Sequence, residues 1–516
     1  MFLRDRLLVA VERLIGALCD PLRRERTVIA ALAGYGIIWT LYGVLAKASQ
    51  GVHYDMAELA IWSDHPAWSY PTHPPLAAWI VRAWLTIFPR ADWSFYLLSM
   101  SSVVLALWLA WRIAGRYLDG EKRVLALAIL TFNPLLTFHA LKFNLNVALI
   151  PLWALATLCF IRSIENRKAS DAALLGLAAA AAMLGKYWSI FLLAGLALAT
   201  LVHPRRDAYW RSAAPWITVA VGALALAPHV AWLVAHQFEP FSFAMTVHGE
   251  KTFADTTASI VRYTAGTVAY IALPVSAVLL AVRWSSGIVR DTLLPPPGER
   301  RFIAVAFWTP VLLPIVVAPL IGSEIISLWN MAAWTLLPVV LLSPPALTVT
   351  RQATNRIVPL AIIWPISAML AAPSIAYFIN NYSNPSRGVH YQVMAKAVDQ
   401  QWRSATTQPL RYIGGEGDLA YAAVFYLPGT TAFSDFDRTI APWVDPAAVA
   451  RDGIALVCRV RNIRCMQRIT SYAEREAPFR IEKVRLSNRF LGSDSVTRRF
   501  IIVIVPPKSE PAAQTQ

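Results

Sequence analysis

Charge is scarce in this chain. Only 15% of its residues are Asp, Glu, Lys or Arg, whereas 57% are hydrophobic and the mean hydropathy is +0.48. A soluble fold has nowhere to bury that much apolar surface, so the composition excludes an ordinary water-soluble protein and indicates a polytopic α-helical membrane protein. Cysteine is nearly absent too, with four residues in 516, and their spacing makes no cysteine-based metal motif. Acidic residues are the scarcer sign: 31 Asp and Glu stand against 47 Lys and Arg, for a net charge of +16. The basic residues are scattered over alternate loops and form no stripe, which makes a nucleic-acid partner the weaker reading. A phosphate loop is also missing. Gly414-Gly415-Glu416-Gly417 lacks the following Lys-Ser/Thr and reads as a strand-to-helix turn.

Long apolar runs, by contrast, are plentiful. Each crossing needs roughly 20 residues, and the chain supplies about eleven candidates. They run from Val28 to Ala46, Phe95 to Ala114, Val124 to His139, Asn146 to Ile161, Asp171 to Lys186, Ser189 to Val202, Ala213 to Ala235, Ser259 to Val282, Phe302 to Ile321, Leu328 to Leu347 and Ile357 to Phe378. The segment Pro74 to Phe88, with a Pro-Pro start and Arg82 inside, is too short and reads as a juxtamembrane or re-entrant helix. Lys and Arg then fall on every second loop, as cytoplasmic loops require. The N-terminus is therefore expected in the cytoplasm of a bacterial inner membrane, with the tail from Asn380 onward in the periplasm. The run before Ala46-Lys47-Ala48 is longer than a signal-peptide core and follows a long basic head, so an uncleaved anchor is favoured.

The expected organisation is an amphipathic cytoplasmic head (1–27), with Leu3, Leu7, Leu8, Leu14 and Ile15 among arginines. A membrane domain (28–379) follows, with a first outer loop at 47–94, then a small α/β extracytoplasmic domain (380–505) and a polar tail (506–516) expected to be disordered. In the α/β domain, Leu410 to Ile413, Ile454 to Arg459 and Phe500 to Val505 read as strands, and Leu419 to Tyr426 as a helix. Cys19 and Cys159 fall on the reducing side; Cys458 and Cys465 lie outside, where a disulfide can form.

Titratable groups gather on the outer face. The first outer loop carries Tyr54-Asp55-Met56-Ala57-Glu58 and His73-Pro74-Pro75 just beyond a hydrophobic span, where charge is costly and usually kept for function. Lys142, Asn144 and Asn146 lie in a later outer turn, Lys186 and Tyr187 in a near-hairpin between two spans, and Glu239, His248, Glu250 and Lys251 in the loop after Ala235. Lys186 either snorkels to the interface or meets a phosphate; His73 either meets that phosphate or makes a structural contact to the Pro-Pro turn. A carboxylate beside cations at a lipid surface suits transfer of a sugar from a membrane-embedded polyprenyl phosphate. The leaving phosphate needs charge stabilisation, and the nucleophile needs orientation and a base, for which Asp55 is placed.

These residues carry a family resemblance. Tyr54-Asp55, His73-Pro74-Pro75-Leu76, Leu184-Gly185-Lys186-Tyr187 and Pro228-His229-Val230-Ala231-Trp232 follow the order and spacing of motifs in the GT-C glycosyltransferases. The chain resembles the group that contains protein mannosyltransferases and the lipid A aminoarabinose transferase. The resemblance implies catalysis by Asp55, assisted by Glu58. It implies donor-phosphate binding by His73, Lys186, Tyr187 and Lys142, and an acceptor pocket near Tyr54, Asn146, His229 and Trp232. Two positions depart from the pattern: Met56 replaces a Glu and Asn146 a second acid. An amide supplies no charge, which weakens the case for a metal bridging both loops. Glu58, one helical turn after Asp55, is the candidate to compensate. A divalent cation is an option, no other cofactor is implied, and no metal ligand is assigned. The expected partners are a polyprenyl-phosphate sugar donor, a glycolipid acceptor such as lipopolysaccharide or lipid A, and membrane lipids. The rival readings are a lipid-linked sugar transporter or flippase, which would place its charges near the bilayer midplane, and a non-catalytic scaffold, for which Asp55 would be dispensable.

Overall fold

The computed structural model describes residues 2–250, 252–382, 388–476 and 478–508. Lys251, the side chains of residues 1–5 and 7, and the tail from 509 onward, named above for the outer loop, the head and the disordered end, lie outside the described residues.

Among the described residues seven helices are long and apolar enough to cross a membrane: Arg24–Ala46, Asp92–Ala114, Leu145–Asn166, Ala214–Ala235, Phe253–Ala281, Glu299–Ile321 and Arg351–Tyr382. The expected span from Val124 to His139 is not one straight helix. Gly120–Leu130 and Pro134–Leu141 are bent by 72° at a short break. Asn133 turns the chain there, its side chain accepting from the Leu135 N–H at 2.9 Å, and Pro134 has no N–H to continue the ladder. Three further expected spans are shorter apolar helices, Ala169–Gly185, Tyr187–Val202 and Ser327–Leu342, as is Leu76–Leu85, in the segment expected to be juxtamembrane or re-entrant. Helices such as Ala214–Ala235 expose Trp216, Val219 and Leu224, a surface suited to lipid.

The chain divides into two compact units. Unit 1 comprises residues 1–41, 72–77 and 96–368; unit 2 comprises 42–71, 78–95 and 369 onward. In unit 1 the helices Ala169–Gly185 and Ala214–Ala235 pack closely because the contact is made by glycines. A Cβ on Gly176 would lie 2.6 Å from the Thr218 carbonyl oxygen, and Gly222 faces Gly176. Small residues let helix backbones approach in lipid, where apolar burial gives little drive. The Thr218 hydroxyl donates to the Ala172 carbonyl at 3.0 Å across the same contact.

Unit 2 is built on a five-stranded sheet: β1 (Tyr412–Gly415), β2 (Thr431–Ser434), β3 (Ile454–Arg459), β4 (Arg480–Leu486) and β7 (Arg498–Val505), in the order β2-β1-β3-β7-β4. The short strands β5 (Arg489–Phe490) and β6 (Ser493–Asp494) form a separate pair. β1 runs parallel to β2 and β3, with Ile413 opposite Ala455, while β7 is antiparallel to β3 and β4. β3 and β7 are apolar almost throughout because both faces of the central strands are covered. The glycine run is the strand-to-helix turn expected: β1 ends at Gly415 with φ +110°, and helix Gly417–Tyr426 follows. A side chain at Gly415 would strike the Val457 carbonyl oxygen. Cys458 on β3 and Cys465 on helix Ile463–Arg475 are joined by a disulfide.

The first loop packs on this domain within unit 2. The Gly51 N–H donates to the Gly388 carbonyl at 2.9 Å, and the Val52 N–H to the Tyr426 hydroxyl at 2.6 Å. Tyr426 in turn donates to Asp92 at 2.8 Å.

Candidate active site

In unit 2, the first-loop carboxylates sit on helix Tyr54–Asp64. His53 caps it: its Nδ1 accepts from the Asp55 N–H at 3.2 Å. The lone pair of that nitrogen is therefore in use, and the Asp55 carboxylate, 3.5 Å from it, faces an acceptor and not an ordinary ion-pair donor. Asp55 keeps 30% of its side chain exposed and lies in the first turn, where the helix dipole favours a negative charge.

Glu58 has the opposite surroundings. The Tyr54 hydroxyl donates to its Oε1 at 3.1 Å, and the Tyr54 ring lies 5.5 Å from that of Tyr421, on the helix after β1. Removal from water, and after it the nearby Asp55 charge, pushes the Glu58 carboxyl up to about 8; the bond from Tyr54 pulls weakly the other way. The Tyr54 and Tyr421 hydroxyls are also pushed up, first by burial and then by Glu58. The pocket thus disfavours further negative charge. Of the two carboxylates, Asp55 is held toward water and Glu58 toward its neutral form, a division typical of acid–base pairs.

In unit 1, the motif residues of the later loops meet one another. Asn144 caps helix Leu145–Asn166, its Oδ1 accepting from Val147 at 3.2 Å, and so fixes the first turn that carries Asn146. The Lys186 ammonium donates to Asn146 Oδ1 at 2.8 Å and lies 4.6 Å from the centre of the Trp329 ring. Lys186 is held at the end of helix Ala169–Gly185, where Gly185 allows close approach to Leu149. The next residue, Tyr187, meets His229 Nε2 through its hydroxyl at 3.1 Å and stacks on Phe241 at 4.6 Å. These residues lie on or just beyond the two helices that approach closely at Gly176 and Gly222.

Not every expected residue joins these groups. Trp232 stacks instead on His236, one turn along its own helix, at 3.9 Å. Lys142 ends the short turn His139–Leu141, and His73 is partly buried in the segment before helix Leu76–Leu85. Residues without a motif are drawn in as well. His248 meets Glu324 at 3.2 Å and packs edge-on against Trp329, and Trp188 donates to Asn330 at 2.9 Å. Trp329, Asn330 and Glu324 come from the segment after Glu299–Ile321 and announce themselves only by polarity beside an apolar run. Among the described residues no group of three or more His, Cys, Asp or Glu is clustered to hold a metal ion.

Residues 72–232 match the family model described as dolichyl-phosphate-mannose-protein mannosyltransferase. Over 188 residues the chain is 26% identical to the lipid A galacturonosyltransferase RgtD of Rhizobium johnstonii; the match covers 35% of this chain and 38% of that protein, so it spans well under half of this curated relative. The fold resembles crystal structures of ArnT from Cupriavidus metallidurans, one bound to undecaprenyl phosphate and one in the apo state. The TM-score is 0.61 for both, at 12% and 13% identity, covering 92% and 94% of this chain and 97% and 98% of theirs. The resemblance read from the motifs is borne out, and the chain is a multi-pass membrane protein with a GT-C fold of the ArnT type and a small C-terminal sheet domain.

Proposed function

We propose that the chain is a membrane glycosyltransferase that moves a sugar from a polyprenyl-phosphate donor to an envelope glycolipid, lipid A or lipopolysaccharide, at the periplasmic face of a bacterial inner membrane. The observation that carries this reading is a coincidence. The stretch matched by the mannosyltransferase model, 72–232, contains the very residues that the fold gathers: Asn146, Lys186, Tyr187 and His229. The orientation, with the N-terminus cytoplasmic, rests on the alternation of basic loops; the disulfide Cys458–Cys465 supports an oxidising compartment for the sheet domain.

In this reading Lys186 stabilises the phosphate as the glycosidic bond breaks and negative charge develops on it, oriented by Asn146 and the face of Trp329. Tyr187 and His229 form a hydrogen-bonded wall beside it. Asp55, carried over by the family resemblance, takes the proton of the acceptor hydroxyl, and Glu58 in its neutral form avoids placing a second negative charge beside it. The amide at 146 supplies no charge to a cation. The test is sugar transfer in proteoliposomes given a panel of polyprenyl-phosphate sugars, including a galacturonosyl donor, and a lipid A extract. Labelled lipid A is the expected product. If the vesicles instead move donor across the bilayer with no transfer, the flippase reading replaces this one.

A further inference from the structure

The sheet domain holds a cavity of about 360 Å³ that the transfer reaction does not use. Arg459, Arg461, Arg498 and Arg499 line it, with Phe500 and Leu419 as an apolar floor. Arg459 is fully engaged: its guanidinium binds Glu416 and Asp418, and Asp418 also accepts from Tyr391 at 2.7 Å. The other three arginines take part in no ion pair among the described residues. The Nε of Arg498 is buried and meets no hydrogen-bond acceptor there, an arrangement that costs free energy until an acceptor arrives. His390, which also lines the cavity, is pressed toward its neutral form by burial and then by Arg498 and Arg459, while its bond to the Val496 carbonyl opposes this. The carboxylates that reach these arginines, Glu416 and Asp418, are both spent on Arg459, and strand alternation puts the Arg498 side chain on the cavity face of β7 beside Phe500.

We propose that this cavity binds a phosphorylated sugar headgroup, its phosphate held by Arg461 and Arg498 and its sugar ring against Phe500 and Leu419. Guanidinium forks match phosphate oxygens in pairs, and the volume is that of a small-molecule site, larger than a phosphate alone needs. The inference deepens the proposed reaction, and rests on it only in taking the headgroup to be that of the acceptor glycolipid.

The experiment measures binding by the full purified chain without turnover, so its failure and the failure of transfer are distinguishable. Three probes are compared: vesicles carrying a phosphorylated disaccharide glycolipid, vesicles carrying the same lipid after phosphatase treatment, and inorganic phosphate. The variants are R461Q/R498Q, the single R461Q in case the double variant unfolds, R498K, and the control R468Q on helix Ile463–Arg475. The expected result is binding of the phosphorylated lipid that weakens at least about tenfold, or about 1.4 kcal/mol, in R461Q/R498Q and measurably in R461Q, is largely kept in R498K, and is unchanged in R468Q. Competition by inorganic phosphate at the same arginines assigns the grip to the phosphate; lipid binding without such competition assigns it to the whole headgroup. Equal binding of phosphorylated and dephosphorylated lipid, or no loss in the arginine variants, overturns the proposal.

Discussion

Lys186 and Glu58 show how neighbours decide what an ionisable side chain does. Lys186 is joined to a neutral amide, Asn146, and to an aromatic face, and these two contacts orient the ammonium. K186M is expected to lower kcat/KM for sugar transfer by about 100-fold or more, the usual scale for removing a charge-stabilising donor. Steady-state rates with the polyprenyl-phosphate donor check this, and an unchanged rate would return Lys186 to snorkelling. Glu58 makes a prediction about pH. Its folded pKa of about 8 lies above the ordinary glutamate value of 4.5, so between those values the folded state binds more protons than the unfolded one. Stability therefore falls as pH rises through this window. Melting temperatures of the detergent-solubilised chain should show that fall and show less of it in E58Q; identical pH profiles would mean that Glu58 does not carry the effect. Lys186 was legible in the sequence because its motif is local. The pairing of Tyr187 with His229 and the contact of Tyr54 with Tyr421 were not, since each joins residues far apart in the chain through packing that periodicity does not encode.

Among the elements, the helices were easier to read than their breaks. Runs such as Leu145–Asn166 announce themselves by length, whereas the 72° bend near Asn133 depends on a local side-chain cap and a proline that an apolar count passes over. In the sheet domain β3 and β7 stood out as continuous apolar runs. β4, exposed at five of its seven positions, did not. The Gly176 contact yields the prediction at this scale. G176V forces a side chain against the Thr218 backbone, an overpacking that costs about 1–3 kcal/mol and separates the helices bearing Lys186 and His229. Lowered thermal stability together with reduced transfer is expected. A variant of undiminished stability would show that the close approach is not required.

At the scale of the whole molecule, the GT-C architecture was legible because scarce charge, alternating basic loops and four ordered motifs all agree. The sugar and the acceptor were not, because they depend on pocket shape. In the proposed function this fold performs sugar transfer with Asp55 at its chemical centre. The most direct measurement compares the native chain with D55N in reconstituted membranes, supplied with polyprenyl-phosphate-linked sugars and a lipid A extract, after matching expression and melting temperature. Transfer by the native chain that falls about 1,000-fold or more in D55N is the predicted result, on the scale of losing a general base. Equal transfer by both proteins would contradict the assignment of Asp55, and no transfer by either across the donor panel would contradict the enzyme.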